Sequence, residues 1–226
     1  KTLKTFGITV TETENGWSIP GGQKYHGPRM RYAEGDWSNA AFWLVAGAIG
    51  GSIGCQGLDM ESPQGDRAIA ALLEEFGAET KVALNQITAT HKEMKGIRID
   101  ASQIPDLVPI LCVAAAAAEG KTEIYNAGRL RMKESDRLAV MAECMQKIGV
   151  EVEERPDSII ITGGCNPPEG EIVIDSHNDH RIVMAMAIAA VSLGVELTIL
   201  GAEAVNKSYP SFFIELAKLG GVTNVL

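Results

Sequence analysis

The chain repeats itself, and a repeat of this length restricts it to folds assembled from copies of one supersecondary unit. The segment KTFGITVTETENGWSIPGG (4–22) aligns without a gap on QKIGVEVEERPDSIIITGG (146–164), and EEFGAETKVALNQITATH (74–91) is a looser third copy. The glycines closing the preceding helical patterns stand at 7, 77, 149 and 220, in steps of 70, 72 and 71 residues. Each occupies the position just past a helix where positive φ is needed, which glycine adopts without steric cost.

A second element recurs in phase. EGDWSNAAFWLVAGAIGG (34–51), IPDLVPILCVAAAAAEGK (104–121) and NDHRIVMAMAIAAVSLG (178–194) each place an Asp ahead of a segment that is apolar on nearly all sides. Asp36, Asp106 and Asp179 are the expected N-caps, and a helix apolar all round is a buried one. Leu138, Met141, Met145 and Ile148 recur instead at steps of 3, 4 and 3, and Ile69, Leu72, Leu73 and Phe76 in similar style. Those patterns predict one-sided helices lying on a sheet. Short runs rich in Val, Ile and Thr, such as EIVIDS, ELTILG and SIIITGG, read as strands.

Each unit therefore reads as βαβαββ, and the chain as an α/β fold of the α+β kind, with three repeats whose buried helices lie side by side. Residues 1–33 read as the tail of a unit whose head lies upstream, and 34–226 as three units of another lobe, the last lacking its strand pair. On this pattern the chain is expected to be a fragment truncated on its N-terminal side.

The net charge of −9 argues against general nucleic-acid binding, so an anion site must be local. No apolar run reaches the length of a membrane span. Cys55, Cys112, Cys144 and Cys165 form no CxxC pair and read as reduced thiols of a cytoplasmic protein.

RLRMKESDR (129–137) carries six charges in nine residues, four of them cationic, at the start of a predicted helix. A helix N-terminus is already positive, so cations there are locally unfavourable. Lys207 precedes the matching helix of the last unit, and His180 and Arg181 open a buried helix. One reading is a solvated surface. The other is a site for a multiply charged anion, held by free N–H groups and by the cations between them. DSHNDHR (175–181) also offers His177, Asp179 and His180 as metal ligands, but Arg181 beside them would repel a cation.

LRMKESDR, NDHRIVMAMA and NKSYP, in this order and spacing, resemble the C-terminal half of the 5-enolpyruvylshikimate-3-phosphate synthases, and EGDWSNAAFWL and PQGD fit the same family. The resemblance implies one lobe of the enolpyruvyl transferase inside-out barrel fold. An N-terminal segment would cross over to complete that lobe. It implies transfer of the enolpyruvyl group of phosphoenolpyruvate to the 5-hydroxyl of shikimate 3-phosphate, with no metal or organic cofactor, in a cytoplasmic, monomeric enzyme of aromatic amino-acid synthesis, from a family that is the target of glyphosate. By the same resemblance, Asp106 is the candidate base at the 5-hydroxyl and Glu134 the acid that moves a proton at the methylene carbon. Lys133 would hold shikimate 3-phosphate. Arg137, Arg181 and Lys207 would clamp phosphoenolpyruvate, with His180 hydrogen-bonding near Glu134. Met132 stands where the family favours Val, and Arg129 lies in a variable stretch and takes no role. The alternatives are the sister transferase acting on UDP-N-acetylglucosamine, and a non-catalytic domain that only complements a partner. Because the other lobe is missing, the fragment alone is expected to turn over poorly or not at all.

Overall fold

A computed structural model describes residues 1–27 and 33–224. They divide into two compact units, Lys1–Glu34 and Gly35–Leu226. The first holds a short helix α1 (Thr2–Thr5) and a hairpin of β1 (Thr11–Thr13) and β2 (Gly16–Ser18). Its Gln23 side chain accepts from the Thr9 N–H at 2.7 Å and donates to the Pro20 carbonyl at 2.8 Å.

The second unit runs through the repeats in order. The first comprises α2 (Trp37–Gly50), β3 (Ser52–Gln56), α3 (Ile69–Phe76), β4 (Glu79–Ala83) and β5 (Gln86–Thr90). The middle one comprises β6 (Arg98–Asp100), α4 (Val108–Ala117), β7 (Lys121–Tyr125), α5 (Arg137–Lys147), β8 (Glu151–Arg155) and β9 (Ser158–Thr162), the full βαβαββ order. The last comprises β10 (Val173–Asp175), α6 (His180–Leu193), β11 (Thr198–Leu200) and α7 (Phe212–Lys218). Among the described residues no strand precedes α2 in this unit. Among the described residues no strand follows α7.

The sheets carry the repeat down to register. Strand order is β3-β5-β4 in the first repeat, β6-β7-β9-β8 in the second and β10-β11 in the third. Lys81 faces Thr88 and Glu153 faces Ile160, at equivalent positions of two antiparallel hairpins, and Thr11 faces Ser18 in the first unit's hairpin at the same register. The helix-closing glycines take φ of +77° at Gly7, +110° at Gly77, +81° at Gly149 and +98° at Gly220. A side chain at these positions would be strained against the following carbonyl.

The three all-apolar helices α2, α4 and α6 pack against one another at the centre. Every residue from Val108 to Ala116 is buried, as is every residue from His180 to Ala189. The outer helices bury one stripe each: Ile69, Leu73 and Phe76 on α3, Leu138, Met141 and Met145 on α5, Phe212 and Leu216 on α7. Each such side chain contributes about 1.5–3 kcal/mol on burial. The last repeat closes onto the first through aromatics. Trp43 stacks on Phe212 at 5.0 Å between ring centroids, and its Nε1 donates to the Tyr209 hydroxyl at 3.0 Å.

One expectation fails locally. Asp36 and Asp179 do cap α2 and α6, accepting from the N–H groups of Ser38 and Arg181 at 2.9 and 3.0 Å. Asp106 caps nothing. It lies within a tight 3-10 turn, Pro105–Leu107, that leads into α4, and its carboxylate turns toward cations instead.

Candidate active site

Three helix starts converge. Asp106 comes from the turn before α4, Lys133 and Glu134 from the loop before α5, Arg137 from the first turn of α5, and His180 and Arg181 from the first turn of α6. Each start carries the partial positive charge of its helix dipole. The sequence adds cations there and then neutralises them with acids.

Arg137 is the hub, with a side chain only 1% exposed. Its Nε donates to Asp179 Oδ2 at 2.7 Å, Nη1 to Asp106 Oδ1 at 2.8 Å, and Nη2 to Glu134 Oε2 at 2.5 Å. Burial alone would disfavour its charge, but Asp179, Glu134 and Asp106 outweigh that penalty and raise its pKa. Lys133 Nζ stands 3.1 Å from Asp106 Oδ1, and Arg181 Nη2 stands 3.5 Å from Asp106 Oδ2. Burial pushes the Asp106 carboxyl up, yet Arg181, Lys133 and Arg137 together hold it below the ordinary carboxylate range. The side chains of this network balance: Lys133, Arg137 and Arg181 against Asp106, Glu134 and Asp179. An incoming anion therefore competes with Asp106 and Glu134 for donors already in use.

Two assigned residues sit differently from expectation. The imidazole Nδ1 of His180 lies 4.0 Å from Glu134 Oε1, beyond hydrogen-bond reach, and that nitrogen is buried without a hydrogen-bond partner. Burial and the adjacent Arg181 push its pKa down, so the ring is neutral at pH 7. Lys207 stands outside the ion-pair network. It ends the third repeat's 3-10 turn, Ala202–Lys207, is exposed, and donates to the Asn178 carbonyl at 2.5 Å, beside the start of α6.

Sequence reasoning undervalued one residue. Asp179 reads as a cap or a metal ligand, but its fully buried carboxylate also anchors Arg137 and accepts from the Ser135 hydroxyl at 3.0 Å. With those donors added to the Arg181 N–H, its oxygens are committed to Arg137 rather than to a metal. The only signal for this was an Asp at a helix start in phase with a buried-arginine motif, and pairing across 42 residues is invisible to spacing.

The sequence model of the family described as EPSP synthase (3-phosphoshikimate 1-carboxyvinyltransferase) matches residues 1–216. A 3-phosphoshikimate 1-carboxyvinyltransferase of Clostridium acetobutylicum is 47% identical over 222 residues, covering 97% of this chain and 50% of its own length. One of Halobacterium salinarum is 41% identical over 229 residues, covering 98% of this chain and 53% of its own. Among solved structures, the EPSP synthase of Acinetobacter baumannii superposes with a TM-score of 0.79 at 33% identity, over 98% of this chain and 53% of that one. The enolpyruvyl transferase NikO of Streptomyces tendae, 19% identical with a TM-score of 0.75, covers 97% of this chain and 52% of its own and shares the fold. The chain thus spans about half the length of the curated relatives it matches. With its repeats, its site motifs and its fold in agreement, the chain belongs to the EPSP synthase (3-phosphoshikimate 1-carboxyvinyltransferase) family.

Proposed function

We propose that this chain supplies one lobe of an enzyme that transfers the enolpyruvyl group of phosphoenolpyruvate to the 5-hydroxyl of shikimate 3-phosphate and releases phosphate. On this reading residues 1–33 are the end of the other lobe, and residues 34–226 carry half of the site. The observation that carries it is the convergence of Asp106, Lys133, Glu134, Arg137 and Arg181 in one ion-pair network, at the positions the family motifs mark.

The chemistry suits those groups. Phosphoenolpyruvate carries a carboxylate and a phosphate, and the tetrahedral adduct keeps both charges, so fixed cations stabilise ground state and adduct alike. Arg137, Arg181 and Lys207 clamp phosphoenolpyruvate, and Lys133 holds the phosphorylated acceptor. Asp106 takes the proton of the attacking hydroxyl. Its carboxyl is held below the ordinary carboxylate range while three cations surround it. A bound anion that draws Lys133 and Arg181 away lets burial dominate, which raises the carboxyl toward the range of an effective base. Glu134, on the other side of Arg137, delivers a proton to the methylene carbon and retrieves one in the elimination, while Asp106 returns the hydroxyl proton to the departing phosphate. His180, neutral at pH 7, stays beside Glu134 without adding charge. The whole enzyme on this reading is cytoplasmic, monomeric, free of metal and organic cofactors, and a member of the family that glyphosate targets.

The test is phosphate release from phosphoenolpyruvate and shikimate 3-phosphate. The chain is assayed alone and then mixed with the N-terminal half of the Clostridium acetobutylicum relative. Turnover is expected only in the mixture, and Asp106→Asn or Glu134→Gln abolishes it. A mixture that assembles but releases no phosphate would overturn the reading.

A further inference from the structure

We propose that Arg131 is a positioning residue, which locks the turn of the β8–β9 hairpin onto the start of α5 and so fixes the loop that presents Lys133 and Glu134 to the site. This inference rests on the function proposed above. Of the cations clustered before α5, Lys133 and Arg137 face the acids of the site, whereas Arg131 turns the other way.

Its guanidinium meets five acceptors. Nε donates to the Pro156 carbonyl at 3.0 Å, and Nη2 to the Arg155 carbonyl at 2.8 Å and Glu154 Oε1 at 2.7 Å. Nη1 donates to Asp136 Oδ2 at 3.0 Å and Oδ1 at 3.3 Å. Asp136 in turn caps α5 by accepting from the Ala139 N–H at 3.1 Å. The same hairpin turn also holds the chain just upstream. The Asp157 carbonyl accepts from the Ala127 N–H at 2.9 Å, and the Asp157 carboxylate accepts from the Gly128 N–H. At the far end, Ser135 and Arg137 are tied to buried Asp179.

Residues 132–135 thus form a short span pinned at both ends. The span has little packing of its own: Met132 is 82% exposed and the Glu134 side chain 41%. Its geometry must come from its anchors. Part-exposed ion pairs of this kind add little stability, so five aligned bonds here serve geometry rather than cohesion. A guanidinium fork can reach five acceptors in one plane, and an ammonium cannot. The first repeat solves the equivalent turn differently. There the Gly57 N–H donates to the Asn85 carbonyl at 3.0 Å, while Arg67 donates to the Met60 carbonyl. The arginine clasp therefore accompanies the repeat that carries the site loop.

Arg131→Met and Arg131→Lys test this in two ways. In the chain alone, amide hydrogen exchange across residues 130–136 is expected to quicken about tenfold or more in Arg131→Met, with α4 and α6 unchanged. In the mixture with the N-terminal half of the Clostridium relative, kcat is expected to fall about ten- to a hundredfold, the scale of a small misplacement of reacting groups. KM for phosphoenolpyruvate should stay within about twofold, because Asp179 holds Arg137 independently of the clasp, and Arg131→Lys should fall between. Unchanged exchange in the loop, or an unchanged kcat, overturns the proposal. So does faster exchange in α4 and α6 together with the loop in both variants, since Arg131 would then only stabilise the fold. If the unsubstituted mixture releases no phosphate, the transferase reading falls, and the exchange measurement alone decides the clasp.

Discussion

Replacing Arg137 with Met removes a buried charge and strands another. Asp179 is fully buried and its two oxygens meet Arg137 Nε and Nη2 at 2.7 and 3.3 Å. Removing one member of such a pair costs about 3–5 kcal/mol, because the partner stays buried without its counter-charge. The links to Asp106 and Glu134 add little, since those carboxylates are part-exposed and keep access to water. For a unit of this size the loss corresponds to a Tm lower by about 6–20 °C. Urea unfolding followed by tryptophan fluorescence reads it directly, since Trp37 and Trp43 lie in the core of this unit.

The pH dependence separates this cause from simple loss of packing. In the unsubstituted protein, Asp179 is pushed up by burial but held below its ordinary value of 3.8 by Arg137. Its contribution is therefore present above the unfolded value and lost as pH falls through the depressed folded one. In Arg137→Met only burial and the remaining hydrogen bonds act, and the folded value rises above the unfolded one. Protonation then relieves the variant as pH falls, so the gap between variant and parent should shrink from pH 7 toward pH 4. Adding Asp179→Asn to Arg137→Met should recover most of the loss at pH 7. A cost below about 1 kcal/mol, or a cost that stays constant between pH 7 and pH 4, refutes the reasoning.

Two further outcomes follow from the same network. Asp106→Asn releases Lys133 and Arg181 from their shared acid, so calorimetry should find inorganic phosphate binding this chain about fivefold more tightly, the ~1 kcal/mol scale of a part-exposed pair. Unchanged affinity would mean the acids do not compete with ligand. An NMR titration of His180 should place its imidazole below 6.5, because burial and Arg181 both oppose its charge. A value above 6.5 would mean that Glu134 or Asp179 dominates instead.

Much of the architecture was legible because its causes are local. A glycine past each helix, an Asp before it, and burial repeating at 3.6 or 2 residues are properties of a few neighbouring residues. Gly77 and Gly149 and the equal register of the β4–β5 and β8–β9 hairpins follow from them. The candidate site was legible as a list but not as a geometry. Asp106 belongs to the same recurring set as Asp36 and Asp179, yet only those two cap helices, because a 3-10 turn at Pro105–Leu107 swings Asp106 toward Arg137. His180 sits beside Glu134 as expected, but at 4.0 Å.

The sequence alone determined the period, the alternation of buried and one-sided helices, and the family motifs, since each is written in consecutive residues. The tertiary structure decided which charges meet. It put Arg137 onto Asp179 across 42 residues of chain, left Lys207 at the Asn178 carbonyl, and turned Arg131 away from the site to the β8–β9 turn. The physical reason is that an ion pair is specified by proximity and burial. Both arise only when three helix starts, each legible singly, are packed to a common point.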